Sequence, residues 1–211
     1  MIGTVETLAA LAVLVLAVAL TLARSPEAAI DLLAWAAVPQ SVLAAVLAGW
    51  GGLPLLYPDA LAILIVKGWW APRVLGRGVR QPEASYGQRS TLSATAILLA
   101  AALVTLICLR LAVAILPLRA TALGLSLAAM CVGFGGVALR SELWSQGAGM
   151  LMGEAGIMTM ILVLAAGLPP LGETLALAEV VLLALLLAAL TRLVQALHGA
   201  PDSSFLRGLR G

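Results

Sequence analysis

"GAGMLMGEAGIMTMILVLAA", Gly147 to Ala166, carries one ionisable side chain, Glu154, in an otherwise uncharged run. A helix that crosses the hydrocarbon core of a bilayer needs ~20 mostly apolar residues. This stretch is long enough, and reading it as a span puts a carboxyl group at membrane depth. The rest of the chain favours that reading. The sequence is 63% hydrophobic and 10% charged, against roughly 45–50% and about 25% for a soluble domain. Its apolar runs are continuous, whereas a membrane barrel repeats alternating segments of ~10 residues. The expected fold class is therefore all-α, a polytopic transmembrane helix bundle.

Working outward, seven spans are expected. The first covers about Val5–Ala23. No Lys or Arg precedes it, so it lacks the basic start of a secretory signal and reads as a mature helix. After the turn "ARSPEAAID", where Pro26 suits a helix start, the second covers about Ala29–Trp50, interrupted by Pro39. The Gly/Pro loop "GWGGLPLLYPD" leads to a short third span, about Asp59–Ala71. A basic connection, "APRVLGRGVRQPEASYGQRS", follows. The fourth span is about Leu92–Leu116, ended by Pro117, and the fifth about Ala120–Leu139. The sixth is the opening stretch, and the seventh, about Leu171–Leu197, follows the tight turn "GLPPLGE". The 211 residues form one transmembrane domain, with N-terminal helices in 1–116 and a C-terminal three-helix part in 117–211.

Lys/Arg bias in short loops sets orientation. If the N-terminal side is side A, side B carries Arg24, Arg73, Arg77, Arg80, Arg89, Arg140, Arg207 and Arg210, and side A mainly Arg119. Side B is then cytoplasmic, with the N-terminus outside and the C-terminus inside. The basic segment from Arg73 to Arg89 reads either as a topogenic stretch near acidic headgroups or as a site for an anionic partner.

Cys108 and Cys131 lie inside apolar runs, and His198, the single histidine, lies in the tail. Neither CxxC nor Cys/His spacing occurs. There is no Walker loop and no dinucleotide fingerprint. Neither a cofactor or metal nor redox or nucleotide chemistry is expected in this chain.

Five ionisable residues within spans are the chemistry-bearing candidates: Lys67, Arg110, Glu154, Glu173 and Glu179. A charged side chain at a helix centre costs roughly 2.5–3.5 kcal/mol on insertion scales, and such residues mark ion paths by default. Glu154 falls about seven residues into the sixth span, roughly 10–12 Å deep. Glu179 falls about eight residues into the seventh, entering from the opposite face. Two mid-depth acids on adjacent antiparallel helices suit a proton relay, because an acid shielded from water is cheaper to hold neutral. Glu173 reads as a feeder near the outer end or as a first-turn acid on the helix dipole. Lys67 reads as a snorkelling cation or as a buried modulator of the path. Arg110 holds its proton, so it suits a structural or electrostatic role, snorkelling outward or pairing with a carboxylate. Gly149 and Gly153 form a GxxxG pair that suits close helix packing. "GFGG", Gly133 to Gly136, reads as tight packing or as a local bulge.

The segment Leu143–Leu190 resembles the C-terminal half of the hydrogenase-4 component E family, itself related to the K subunit of respiratory complex I. The family pattern has a Glu in a segment like "LLENGIFL", a Pro/Gly-rich loop, then a Glu and a second acid six residues on. Glu154, "GLPPLGE" with Glu173, and Glu179 match it, with Glu179 standing where the family often has Asp. "ILIVKGWWAPRVLGR" resembles the family's Lys-bearing helix, matching Lys67. The resemblance is clearest over the last seventy or so residues and weakest in the first two spans.

The resemblance implies a non-redox membrane-arm subunit of a complex-I-like energy-converting hydrogenase or relative, in the inner membrane of a prokaryote. It implies antiporter-like partners, a subunit like the H subunit of complex I, a peripheral redox module of the nickel–iron hydrogenase kind, and lipid, with no nucleic acid. Glu154 and Glu179 would then carry protons or sodium-coupled charge, with Glu173, Lys67 and Arg110 beside them. The alternatives are a purely structural scaffold for such a complex and a stand-alone secondary transporter.

Overall fold

The computed structural model describes residues 2–23, 25–54, 56–79, 93–139 and 143–164, with 181, 185 and 189. Every element among them is helical. In chain order they are α1 (Ile2–Leu22), α2 (Pro26–Trp50), α3 (Leu56–Ile63), a π-helical segment (Leu64–Trp70), α4 (Ala71–Val79), α5 (Ala94–Ile115), a 3-10 turn (Pro117–Arg119), α6 (Ala120–Ala138) and α7 (Leu143–Leu164). Among the described residues, five helices are long and apolar enough to cross a membrane: Ile2–Leu22, Glu27–Trp50, Ala94–Ile115, Pro117–Ala138 and Ser145–Leu164. Of the expected seventh span, only Val181, Leu185 and Ala189 are among the described residues.

Local chemistry sets the boundaries. Ser25 caps α2, its side chain accepting from Ala28 N–H at 3.3 Å, with Pro26 at the first helical position. Gly52 at φ 71° then turns the chain out of α2, a conformation that favours glycine. Ser93 caps α5 by accepting from Ala96 N–H at 3.2 Å. Several hydroxyls within the spans are satisfied by their own helices, as Thr105 donates to Ala101 O, Ser126 to Ala122 O and Thr159 to Ala155 O, whereas Ser41 of α2 donates across to Ala60 O of α3.

Two expectations are corrected. Pro39 does not interrupt the second span, since α2 runs through it from Pro26 to Trp50. Proline is tolerated within membrane helices where neighbours re-satisfy the freed backbone groups. The third span does not stop at Ala71. Helix continues from Leu56 to Val79, so "APRVLGRGV" is helical and Arg73 lies in α4. Arg73 donates to Trp69 O at 3.1 Å and sits over the Trp69 ring, 4.2 Å from its centroid.

Successive helices run antiparallel. A methyl built on Gly49 would lie 2.9 Å from Tyr57 Oη, and one on Gly76 3.7 Å from Ile30 Cδ1. The ends of α2 therefore meet the opposite ends of the Leu56–Val79 helix. Side A holds the C-terminal ends of α2, α5 and α7. Side B holds their N-terminal ends.

The core is built from small residues. At Gly133 a Cβ would fall 2.6 Å from Gly153 Cα, and at Gly156 2.7 Å from Met130 Cα. Without Cβ atoms there, α6 and α7 approach backbone to backbone, as membrane helices do when burial alone cannot drive association. "GFGG" thus packs tightly within a regular α6 rather than forming a bulge. A Cβ at Gly136 would meet Thr21 Cγ2 at 2.9 Å, so the same helix also seats α1. By contrast α5 leans mainly on α6, and much of its surface is exposed apolar side chain, including Leu99, Leu103, Leu106 and Ile107.

Candidate functional site

Three helices bring polar groups together at the centre of the bundle. Glu154 lies eleven residues after Leu143 and ten before Leu164. Lys67 is eleven residues after Leu56 and twelve before Val79. Gln40 is fourteen after Pro26 and ten before Trp50. At 1.5 Å per residue each is roughly 15 Å or more from either end of its helix.

Lys67 Nζ stands 2.7 Å from Glu154 Oε1, in a buried ion pair. Lys67 is only 7% exposed and Glu154 8%. The snorkelling alternative for Lys67 is thereby overturned: its ammonium turns inward to a carboxylate instead of outward to headgroups. Gln40 completes the cluster. Its Oε1 accepts a long contact from Lys67 Nζ at 3.5 Å, and its Nε2 donates to Ala155 O at 2.6 Å and to Thr159 Oγ1 at 3.3 Å. These donations orient the amide, so that its oxygen is the end offered to Lys67.

The π-helical segment positions the lysine. Ala71 N–H bonds to Val66 O, five residues back, which widens the turn holding Lys67. Single π-turns occur frequently at functional sites. A Cβ at Gly68 would lie 3.3 Å from Ala37 Cβ, so the glycine lets this turn lie close against α2.

A cleft of about 340 Å³, the open space at its mouth included, adjoins the cluster. Besides Gln40, Lys67, Glu154 and Ala155, it is lined by Leu33, Ala36 and Ala37 of α2, Ala71, Pro72 and Leu75 of α4, and Leu151 of α7. In each helix these residues lie on the side-B flank of the polar residue. The cleft therefore lies on the side-B flank of the ion pair. On the other flank, the Gln40–Thr159 hydrogen bond carries the polar contacts one turn towards side A.

Comparison of the chain with known protein families, with curated proteins and with solved structures finds no match. The site is therefore read from its own geometry.

Of the five residues expected to matter, Lys67 and Glu154 are brought into contact. Arg110 is not part of the cluster: it is exposed on α5 and has no ion-pair partner among the described residues. Glu173 and Glu179 lie outside the described residues. Sequence reasoning passes over Gln40 and Thr159. An amide beside Pro39 in an apolar helix is a signal for the first, whereas Thr159 resembles any hydroxyl in a span. Glu6, inside the first apolar run, is also passed over. It is 1% exposed, with Oε1 3.5 Å from Arg119 Nη1. The described residues contain no group of three or more His, Cys, Asp or Glu able to hold a metal.

Proposed function

We propose that this chain is a membrane-arm subunit of a complex-I-like energy-converting hydrogenase or a related complex, and that its buried charges move protons or sodium in step with electron transfer elsewhere. The observation that carries the reading is the Lys67–Glu154 pair, 2.7 Å long, midway along its helices and beside a cleft on its side-B flank. Ionisable groups so placed are costly and mark ion paths by default. The resemblance of "MGEAGIMTM" and "ILIVKGWW" to hydrogenase-4 component E points the same way.

In this reading a proton reaching Glu154 through the cleft neutralises the carboxylate and releases Lys67. The ammonium, on a flexible four-carbon stem, then loses its counter-charge and repels the next cation. Gln40 holds Lys67 in register with α7 while the pair is open. Glu179 on the seventh span is the onward acid, Glu173 its feeder, and side B the cytoplasmic face. Antiporter-like and H-like membrane subunits and a peripheral nickel–iron module are the partners.

Glu154→Gln in the assembled complex is expected to abolish coupled ion transport in vesicles while leaving peripheral redox turnover largely intact. Full transport by that variant would remove the proposed role. A second reading, a structural scaffold, is favoured by the same close pairing, since each charge already has a fixed partner. It predicts lower yield of assembled complex for Glu154→Gln with an unchanged ion-to-electron ratio. The stand-alone transporter reading has no such observation behind it.

A further inference from the structure

A second buried acid lies near side A, apart from the Lys67–Glu154 cluster. Glu6 is four residues into α1 and 1% exposed, and its Oε1 accepts no hydrogen bond among the described residues. The cation facing it is Arg119, on the 3-10 turn that opens α6, with Nη1 3.5 Å from Oε1. That nitrogen also donates to Val163 O near the side-A end of α7. Arg119 is one-third exposed at its side chain, so it reaches from the interior to the side-A surface.

A clamp made for stability would show short, paired bonds from the guanidinium to both carboxylate oxygens. Here the guanidinium is shared with a backbone carbonyl and leaves a buried carboxylate oxygen without a hydrogen bond. Such an oxygen is costly when charged and far less so when the group is neutral. The arrangement suits an acid that alternates between the two states, with one charged neighbour positioned to attract the anion. Its depth also fits. Thr159, the last hydroxyl in contact with Gln40, is five residues from the side-A end of α7. At 1.5 Å per residue that is roughly 7–8 Å, against roughly 6 Å for Glu6 from the start of α1. The helices α1 and α7 pack against each other. Among the described residues, Asp59 of α3 is the other buried carboxylate towards this side.

We infer that Glu6 is the side-A terminus of the proton path, accepting a proton from the direction of Thr159 and releasing it past Arg119. The inference rests on the proposed function and extends it to the exit. The step is a proton transfer alone. The neutral carboxyl gives its proton to water on side A, and the resulting carboxylate is held by Arg119 until it is reloaded.

The test uses the full chain in uniformly oriented vesicles, with pH stepped on one face at a time. Infrared difference spectra read the C=O stretch of protonated carboxyl groups, and the Glu6 band is the one lost in Glu6→Gln. It is expected to respond to steps on side A and to ignore steps on side B. A Glu6 band that follows side B, or that never appears, overturns the inference. Should Glu6→Gln fail to fold, Glu6→Asp identifies the band by displacing it. This readout stands apart from the transport assay of Glu154→Gln. Lost transport in that variant with a silent Glu6 band sinks the exit alone.

Discussion

At the scale of single residues, the Lys67–Glu154 pair shows why a charge buried in lipid must be judged with its partner. Removing one member of a buried pair leaves an uncompensated charge and costs about 3–5 kcal/mol, whereas replacing both with apolar or neutral groups of similar volume is often neutral or stabilising. Lys67→Ala is therefore expected to lower thermal stability in detergent by that order. Lys67→Met combined with Glu154→Gln should recover most of the loss. Equal destabilisation by the single and double variants would mean that the two charges do not compensate each other. The sequence made Glu154 and Lys67 visible, because a lone charge in an apolar run stands out. It left open which way Lys67 points, because a four-carbon stem reaches lipid headgroups or a neighbouring helix equally well. Gln40 was hidden for a different reason. An uncharged amide stands out little from composition, and its value here comes from bonding to Ala155 and Thr159 on α7, more than a hundred positions later.

At the scale of elements, glycine decides how close the helices come. Gly156 and Gly135 both lie within apolar helices and have opposite structural surroundings. A side chain at Gly156 must displace the α6 backbone at Met130, while one at Gly135 meets nothing within 4 Å. Gly156→Leu is expected to prevent a stable fold. Gly135→Ala should leave thermal stability unchanged or raise it by about 0.5–1 kcal/mol, the helix preference of Ala over Gly. Melting curves of the two variants in one detergent check the contrast, and similar losses in both would contradict the packing. Some helix ends were legible, since Pro26 and Pro117 act locally, while the caps at Ser25 and Ser93 emerge only in the structure. The Leu56–Val79 helix was not. Its polar C-terminal half, rich in Arg and Gly, looks like a loop, and the π-turn that carries Lys67 has no sequence signature.

At the scale of the whole molecule, the helices alternate direction, so the cleft beside Lys67 lies towards one membrane side and the Glu6–Arg119 pair towards the other. Single cysteines report this directly. With Cys108 and Cys131 replaced by Ala, Glu27→Cys at the start of α2 and Pro54→Cys in the turn beyond its end, both exposed, should react with a membrane-impermeant maleimide from opposite faces. On the Lys/Arg bias, position 27 should react from the cytoplasmic face. Labelling of both from one face would rule out a spanning α2. The sequence by itself determined a helical architecture with several helices apolar and long enough to cross a membrane, and few charges within them. Hydrophobicity over ~20 residues and the high cost of a buried charge are properties of a segment and need no neighbour. Only the tertiary structure decided which charges meet. The pairing of Lys67 with Glu154 depends on a π-turn and on glycine-lined helix contacts, and those are set by three-dimensional packing between residues far apart in the chain.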